Sequence, residues 1–211
     1  MVSFCGKPLI SVSIDALLAC GIENIYILYR EIDEEILHIY DYYPNQNNIR
    51  LIKDTYLKGV VQAHLLLTED IKYPMVTMDC DLVFLKEEFQ EMLQEGIDKL
   101  ERNNAVVAII ENPVEDEDCL FYVNSDDTIH LNNDKSEGKL QYGGYIYGWK
   151  EPIRKDILVF NSMKNTTYSN FFDYYSSIKP VGFMLIKHLW DVDTPEKLKK
   201  SEQLFMSSTI I

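Results

Sequence analysis

The sequence has few basic residues for its length. Its 211 residues include 20 lysines and arginines against 34 aspartates and glutamates, which gives a formal net charge of −14. This acidity argues against a nucleic-acid partner, because a phosphate backbone requires a surface rich in lysine and arginine. It does not exclude a small phosphate ligand, provided that a divalent cation lies between the two negative partners.

Clustered cysteines and long apolar segments are also lacking. The four cysteines, Cys5, Cys20, Cys80 and Cys119, include no CxxC pair, and the four histidines are isolated. This pattern argues against a zinc finger or a disulfide scaffold and favours reduced thiols. No apolar run reaches the roughly 18 residues that a membrane span requires, and the N-terminus lacks a signal-peptide pattern. We therefore expect a cytoplasmic protein with no membrane partner.

Helical and strand patterns alternate through the first half of the chain. Helical spacing predicts helices at 8–20, 31–41, 59–69 and 87–102, and short apolar runs predict strands at 24–29, 49–52, 74–79 and 105–110. In the 31–41 helix, the side chains expected to face the core are Ile32, Ile36, Leu37 and Tyr40. This alternation indicates an α/β fold with a Rossmann-like, mainly parallel central sheet and flanking helices.

The second half adds a predicted hairpin and a C-terminal helix. Residues 119–123 and 128–131 flank the turn sequence NSDD, and a strand pattern at 140–149 is interrupted by Gly143 and Gly144. Further helices are predicted at 152–160, 169–176 and 194–206, and further strands at 181–186 and 189–192. Thr194 suits the N-cap of the last helix and Pro195 its first position. Because there is no repeat or linker, we predict a single domain over residues 1–211.

Acidic side chains follow two of the predicted strands. Asp79 and Asp81 come at the end of the 74–79 strand, and Asp193 precedes the N-cap of the last helix. Ligands of open α/β sheets bind at the carboxyl ends of strands, and carboxylate oxygens suit Mg²⁺ or Mn²⁺. Two plainer alternatives remain open. The first pair could form a solvent-exposed acidic turn, and Asp193 could assist in capping the helix.

Five motifs in order resemble one family. They are GKPLI at 6–10, GI at 21–22, NIYI at 24–27, DCDLVF at 79–84 and DVDTPEKL at 191–198. Together they resemble the sugar-phosphate and choline-phosphate nucleotidyltransferases, whose GT-A-like fold is shared with the molybdenum-cofactor guanylyltransferases. The last motif is the most specific, since the family tail commonly reads DIDTPEDL. The resemblance implies that Asp81 and Asp193 are the catalytic metal ligands, with Asp79 as a helper, and that the metal is Mg²⁺ or Mn²⁺.

Two further segments carry the resemblance to substrate sites. Gly59 and Gln62, in GVVQA, are similar to the family segment that contacts the nucleotide base. Gly144 and Tyr145, in GGYIY, are similar to the strand that lines the acceptor side. The resemblance therefore implies two partners, a nucleoside triphosphate and a small phosphorylated acceptor. It leaves open whether the chain forms a homo-oligomer.

The start of the chain departs from the family pattern. The family opens with a strand and a glycine-rich loop, LAAGxGxR, that holds the triphosphate, whereas here five residues precede Gly6. Lys7 belongs to the KPL motif and is not expected to be the catalytic lysine. Two explanations are open: a rearranged sheet, or an additional N-terminal segment of about 25 residues in the natural protein. Without that first strand, its two neighbours in the sheet would carry unpaired ladder groups.

The function implied is transfer of a nucleotidyl group from a nucleoside triphosphate to a phosphorylated sugar or alcohol, with release of pyrophosphate. CTP is the preferred nucleotide, because the acid motif and the DVDTPE tail most resemble the cytidylyltransferase branch. One alternative is a degenerate homologue that binds a nucleotide or a partner without catalysis. Another is a GT-A glycosyltransferase, against which the DVDTPEKL tail counts.

Overall fold

The computed structural model describes residues 1–54, 60–67, 71–111, 120–123, 129–130, 139–162 and 168–208. The first elements in chain order are β1 (Ser3–Phe4), β2 (Lys7–Pro8), α1 (Ser11–Ala19), β3 (Ile25–Tyr29), a 3₁₀ helix (Glu31–His38), α2 (Ile39–Tyr42), β4 (Ile49–Lys53), α3 (Val60–Ala63), a second 3₁₀ helix (His64–Leu66), β5 (Met75–Met78) and β6 (Leu82–Phe84). The remaining elements are α4 (Lys86–Lys99), β7 (Ala105–Ile110), β8 (Leu120–Val123), β9 (Ile129–His130), β10 (Lys139–Trp149), α5 (Arg154–Ser162), α6 (Tyr168–Ile178), β11 (Val181–Ile186), β12 (Leu189–Asp191) and α7 (Pro195–Ser208).

The chain forms two compact units, neither of which is a continuous segment. The first comprises Met1–Leu57, Cys80–Lys86 and Trp190–Ile211, and the second comprises Lys58–Asp79 and Glu87–Leu189. The single domain expected over residues 1–211 stays a prediction. In the described part of the chain, no helix has the length and apolar character that a membrane span would require.

The first unit contains three two-stranded ladders. β1 and β2 form an antiparallel hairpin, β3 and β4 pair in parallel, and β6 pairs with β12. Cys5 and Gly6 form the hairpin turn with positive φ angles of 48° and 83°, as tight two-residue turns between strands require. The parallel β3–β4 pair confirms the strands predicted at 24–29 and 49–52. Among the described ladders, β3 has β4 as its one partner.

Helix α1 begins later than its apolar pattern suggested. The prediction placed Pro8 in the first helical turn, but Pro8 pairs with Ser3 in the β1–β2 ladder, and the helix begins at Ser11. Pairing in the hairpin therefore overrides the preference of proline for a helix start. The predicted end is confirmed, because Gly21 follows α1 with a φ of 74°, the left-handed conformation that favours glycine.

The segment after β3 differs from the amphipathic helix predicted at 31–41. It winds as a 3₁₀ helix with a non-helical break at Asp33, and only its last four residues are α-helical. Three residues per turn and a break change which side chains share a face. Ile36 is buried as expected, but Ile32 is 81% exposed, and Leu37 and Tyr40 are also exposed. The inward orientation predicted for these three side chains was therefore wrong.

The second unit is built on a six-stranded sheet with the order β11-β7-β10-β8-β9, in which β5 also pairs with β10. β5 and β7 are both antiparallel to β10, and β11 is parallel to β7. Therefore β5, β7 and β11 share one direction, and β10 is the reversed strand between β5 and β7. This arrangement, with the parallel β3–β4 pair, confirms the mainly parallel α/β fold. Strand β7 is buried at all six residues, as its continuous apolar sequence predicts.

Strand β10 contains the irregularity that its glycines predicted. Its register against β7 shifts between Gly143 and Tyr147, and Gly144 has a φ of 104°. A Cβ atom at Gly143 would lie 2.1 Å from the carbonyl oxygen of Ala108, so the two backbones approach too closely for a side chain. The predicted hairpin of β8 and β9 is confirmed by their antiparallel pairing, and its turn, residues 124–127, lies outside the described residues.

Aromatic side chains form the core of the second unit. Trp149 is fully buried, and its ring lies within 6 Å of the rings of Tyr147 and Tyr175. Its indole Nε1 donates a 2.9 Å hydrogen bond to Oγ1 of Thr77 on β5. Buried aromatic rings contribute large apolar areas, and a paired indole N–H avoids the cost of an unsatisfied donor. This packing holds β5 against β10.

Candidate functional site

The first unit brings residues 80–84 of the acid motif and the C-terminal tail together. β6 is an apolar strand whose three residues are all buried, and α1 and α7 both pack against it. The backbone N–H of Val192 donates a 3.0 Å hydrogen bond to the carbonyl oxygen of Asp81. The end of β12 therefore meets the start of β6, and Asp193 follows directly after the residue bonded to Asp81.

The two carboxylates influence one another electrostatically. Asp81 is half-buried, and its pKa is raised above the usual range, first by burial and then by the negative charge of Asp193. A hydrogen bond from its own backbone N–H partly offsets the rise in the pKa. Burial and like charge both disfavour the ionised form. A cation bound by the two groups would relieve this unfavourable charge.

Asp193 is not the residue that caps α7. Oγ1 of Thr194 accepts the backbone N–H of Lys197 at 3.2 Å, so the N-cap is Thr194, as predicted. The carboxylate of Asp193 is 53% exposed, and its Oδ1 lies 3.2 Å from Nζ of Lys197. Thr194 therefore provides the cap that the plainer alternative assigned in part to Asp193. The carboxylate of Asp193 forms an ion pair instead.

Lys197 is the residue of this site that sequence reasoning missed. Asp193 and Lys197 are four positions apart at the start of a helix, and acid–base pairs with that spacing are neighbours on one helix face. The spacing alone could therefore have indicated the pair. The importance of the Asp193–Lys197 pair depends on Asp81, which the pairing of β6 with β12 brings close to Asp193.

The donor set of Asp81 and Asp193 fits a magnesium ion. Among the described residues no group of three or more metal-ligating side chains occurs. Mg²⁺ is usually held by one or two carboxylates, with waters and substrate phosphates completing its octahedron. Two carboxylates, one of them half-buried and carrying unfavourable charge, match that requirement.

Asp79, the expected helper, belongs to the second unit. It follows β5 and is half-buried, and its backbone N–H donates a 3.2 Å hydrogen bond to the carbonyl oxygen of Tyr145. The structure therefore connects Asp79 with one of the two residues expected on the acceptor side. Gly144 is buried in the irregular part of β10, and Tyr145 is half-buried.

The predicted base-contacting segment is described in part. Gly59 lies outside the described residues. Gln62 lies in α3, between the buried Val61 and the 3₁₀ helix that begins at His64, and its side chain lies outside the described part. The helix predicted at 59–69 is confirmed over residues 60–66, in which one α-helical turn continues as a 3₁₀ helix.

His64 is a core histidine, in agreement with the interpretation of the four histidines as isolated residues. Its ring is buried against Trp149 in an edge-to-face contact with centroids 5.7 Å apart. Burial lowers the pKa of His64 to about 4, so the ring is neutral at physiological pH.

Solved structures share this fold. HddC from Yersinia pseudotuberculosis is similar to the chain with a TM-score of 0.68 and 17% identity, covering 97% of this chain and 88% of that one. The 4-diphosphocytidyl-2C-methyl-D-erythritol synthase from Anaerococcus prevotii gives 0.69 and 16%, covering 97% and 92%. The inositol-1-phosphate CTP transferase from T. maritima gives 0.73 and 11%, covering 97% and 84%. No protein-family model matches the sequence, and no curated protein matches it. The chain therefore has the mixed α/β, GT-A-like fold of these nucleotidyltransferases.

Proposed function

We propose that the protein transfers a nucleotidyl group from a nucleoside triphosphate to a phosphorylated sugar or alcohol with the aid of Mg²⁺. A phosphate oxygen of the acceptor forms a bond to the α-phosphorus, and the bond from that phosphorus to the oxygen bridging to the β-phosphate breaks. Pyrophosphate leaves with that oxygen. The attacking group is already an anion, so the reaction depends on positioning and charge neutralisation more than on a protein base.

Asp81 and Asp193 would hold the cation through their carboxylate oxygens. The observation that supports this proposal is the 3.0 Å hydrogen bond from the backbone N–H of Val192, the residue before Asp193, to the carbonyl oxygen of Asp81. The pKa of Asp81 is raised by burial and, in addition, by the charge of Asp193. Bound Mg²⁺ would supply neutralisation of the phosphate charge. Asp81 directly precedes β6, which is buried at all three residues. This buried strand would hold Asp81 in a fixed position toward the phosphates.

We assign the substrate-binding roles, which the family resemblance implies, to residues of the second unit. Gly59 and Gln62 would contact the base, and Gly144 and Tyr145 would line the acceptor side. The hydrogen bond from Asp79 to the carbonyl of Tyr145 supports a positioning role for Asp79 toward the acceptor strand. The positive φ of Gly144 and the register shift beside it supply the irregular backbone that often lies next to ligand sites.

We propose CTP as the donor. The acid motif and the DVDTPEKL tail resemble the cytidylyltransferase branch, and one of the solved structures with a similar fold is an inositol-1-phosphate CTP transferase. GTP is the competing nucleotide, because the HddC neighbour has been crystallised with GMP-PN. Phosphorylated polyols and sugar phosphates are the acceptors to test first.

The test begins with the unfolding temperature of the full chain in CTP, GTP, UTP and ATP, each with and without Mg²⁺. We expect a Mg²⁺-dependent increase with CTP, because a ligand that binds only the folded state stabilises it. Pyrophosphate release is then measured with CTP and each acceptor. Asp81→Asn and Asp193→Asn are expected to remove both signals.

The matched control is Glu196→Gln, which removes one negative charge from an exposed position on the first turn of α7. It is expected to behave as the wild type does. Nucleotide binding without pyrophosphate release from any acceptor would contradict the transfer reaction and support a binding role. A Mg²⁺-dependent response that survives Asp81→Asn would contradict the assignment of the metal ligands.

A further inference from the structure

Lys197 places a positive charge at the carboxylate that would bind the metal. Its ammonium lies 3.2 Å from Oδ1 of Asp193, and its side chain is 27% exposed, half the exposure of its partner. The next residue, Leu198, packs against the apolar core formed by Phe4, Leu9, Val83, Trp190 and Val192. The start of α7 is therefore anchored, which holds the Lys197 ammonium close to Asp193.

The charges at this place are unevenly balanced. Asp81 is half-buried and is destabilised as an anion by Asp193, and Lys197 provides one positive charge on the exposed side of the pair. A divalent cation would neutralise both carboxylates. It would also be repelled by the ammonium, since like charges a few ångströms apart oppose each other even in water.

We propose that Lys197 is a built-in competitor of the divalent cation, which weakens binding of free Mg²⁺ or Mn²⁺ and must leave Asp193 when the metal binds. This inference rests on the proposed metal site, and it concerns a residue to which the proposed reaction assigns no role. The ion pair holds Asp193 in place without metal. A single pair at i, i+4 is weak, so a divalent ion displaces it at moderate concentration.

The expected effect follows from Coulomb's law. After leaving Asp193, the ammonium stays tethered to the same turn of α7. A single charge and a divalent charge about 8 Å apart still repel each other enough, even at the dielectric constant of water, to change a binding constant by about sixfold. The lost ion pair adds a factor of about two, so the combined effect is about tenfold. Lys197→Gln removes the charge and keeps a residue with good helix propensity. We therefore expect this variant to bind the free cation about tenfold more tightly than the wild type does.

The experiment titrates the full chain with Mn²⁺, without nucleotide, and measures free Mn²⁺ by electron paramagnetic resonance. Lys197→Arg keeps the charge and is expected to bind as the wild type does. Lys199→Gln is the matched control, because it removes the same charge from an exposed position on the same helix. It is expected to change the affinity by less than twofold. The helix content of each variant is compared by circular dichroism.

The outcomes separate this inference from the proposed function. Tighter binding by Lys197→Gln, lost again when Asp193→Asn is added, supports it. Equal affinity of wild type and Lys197→Gln, with binding still dependent on Asp193, overturns the competition and leaves the metal site standing. An equal gain from Lys199→Gln also overturns it, since the effect would then be one of net charge. Absence of Mn²⁺ binding in all variants overturns both the inference and the metal site.

Discussion

Replacing Asp81 by asparagine is expected to stabilise the metal-free protein. The ionised side chain is half-buried, and its pKa is raised by burial and by the charge of Asp193. Asparagine has nearly the same shape and carries no charge, so the substitution removes both unfavourable contributions. Carboxylates held close together to bind a cation are expected to lower the free energy of unfolding when the cation is absent.

The gain should be on the order of 1 kcal/mol. Coulomb's law gives about 1 kcal/mol for two unit charges 4 Å apart in water and about 4 kcal/mol near a protein surface, and less at longer separations. We take the lower figure for burial and repulsion together, because Asp193 is 53% exposed and is paired with Lys197. With a urea dependence of about 2 kcal/mol per molar, this gain moves the midpoint of unfolding upward by about 0.5 M.

The pH dependence of the free energy of unfolding provides an independent test of the same reasoning. Because the folded state holds a proton on Asp81 more tightly than the unfolded state does, the stability of the wild type falls as the pH rises through the raised pKa. The ordinary pKa of an aspartate is about 3.9. At a pH well below this value the side chain is protonated in both the folded and the unfolded state, so the wild type and Asp81→Asn should be equally stable. The difference between them should open as the pH increases and remain constant at neutral pH.

The assay is urea unfolding in EDTA and in excess Mg²⁺, at neutral and acidic pH. Asp193→Asn removes the same repulsion, so the gains from the two substitutions should not add in the double variant. In Mg²⁺ the wild type should become the more stable protein, since bound metal stabilises only a folded site. If Asp81→Asn is no more stable than the wild type in EDTA, or if the two gains add, the electrostatic coupling of these carboxylates is refuted.

Two other substitutions test the second unit. His64→Phe keeps an aromatic ring against Trp149 and is expected to remove an acid-sensitive loss of stability. The pKa of His64 in the folded protein is about 4, so protonation favours the unfolded state from about pH 6.5 downward. This effect lowers the free energy of unfolding by up to about 3 kcal/mol. An unchanged dependence of urea stability on pH between 7.5 and 5 would count against this reasoning. Gly143→Ala is expected to cost more than about 2 kcal/mol, since its Cβ would meet the Ala108 carbonyl oxygen at 2.1 Å. Gly21→Ala, where the φ is 74° and nothing lies within 4 Å, should cost only about 1 kcal/mol, and equal losses of unfolding free energy would contradict the clash.

Much of the fold follows from short-range patterns in the sequence. The continuous apolar runs of β3 and β7, the glycine stop after α1 and the threonine cap of α7 depend on residues within one element and its ends. Such signals are local, since a strand buried on both faces must be apolar throughout and a helix end needs its own hydrogen-bond partners. The acidic residues and their order along the chain also led to the hypothesis of a metal site, which stays a prediction.

The wrong predictions share a different cause. Pro8 was assigned to a helix and lies in a hairpin, and Ile32, Leu37 and Tyr40 were expected in the core and are exposed. In each case a pairing or a helix type that the local pattern does not specify decided the outcome. A 3₁₀ helix and an α-helix place the same residues on different faces, and the sequence of 31–42 contains no clear signal for the change.

The sequence by itself determined which side chains are available for the proposed chemistry, their order and most of the elements that carry them. Only the tertiary structure decided that Asp81 and Asp193 meet, because the hydrogen bond between Val192 and the Asp81 carbonyl joins distant parts of the chain. That meeting adds to the rise in the pKa of Asp81 that burial causes, and it gives the Lys197 ion pair a bearing on the proposed metal site. Electrostatic energy depends on separation and burial, and both are properties of the folded chain.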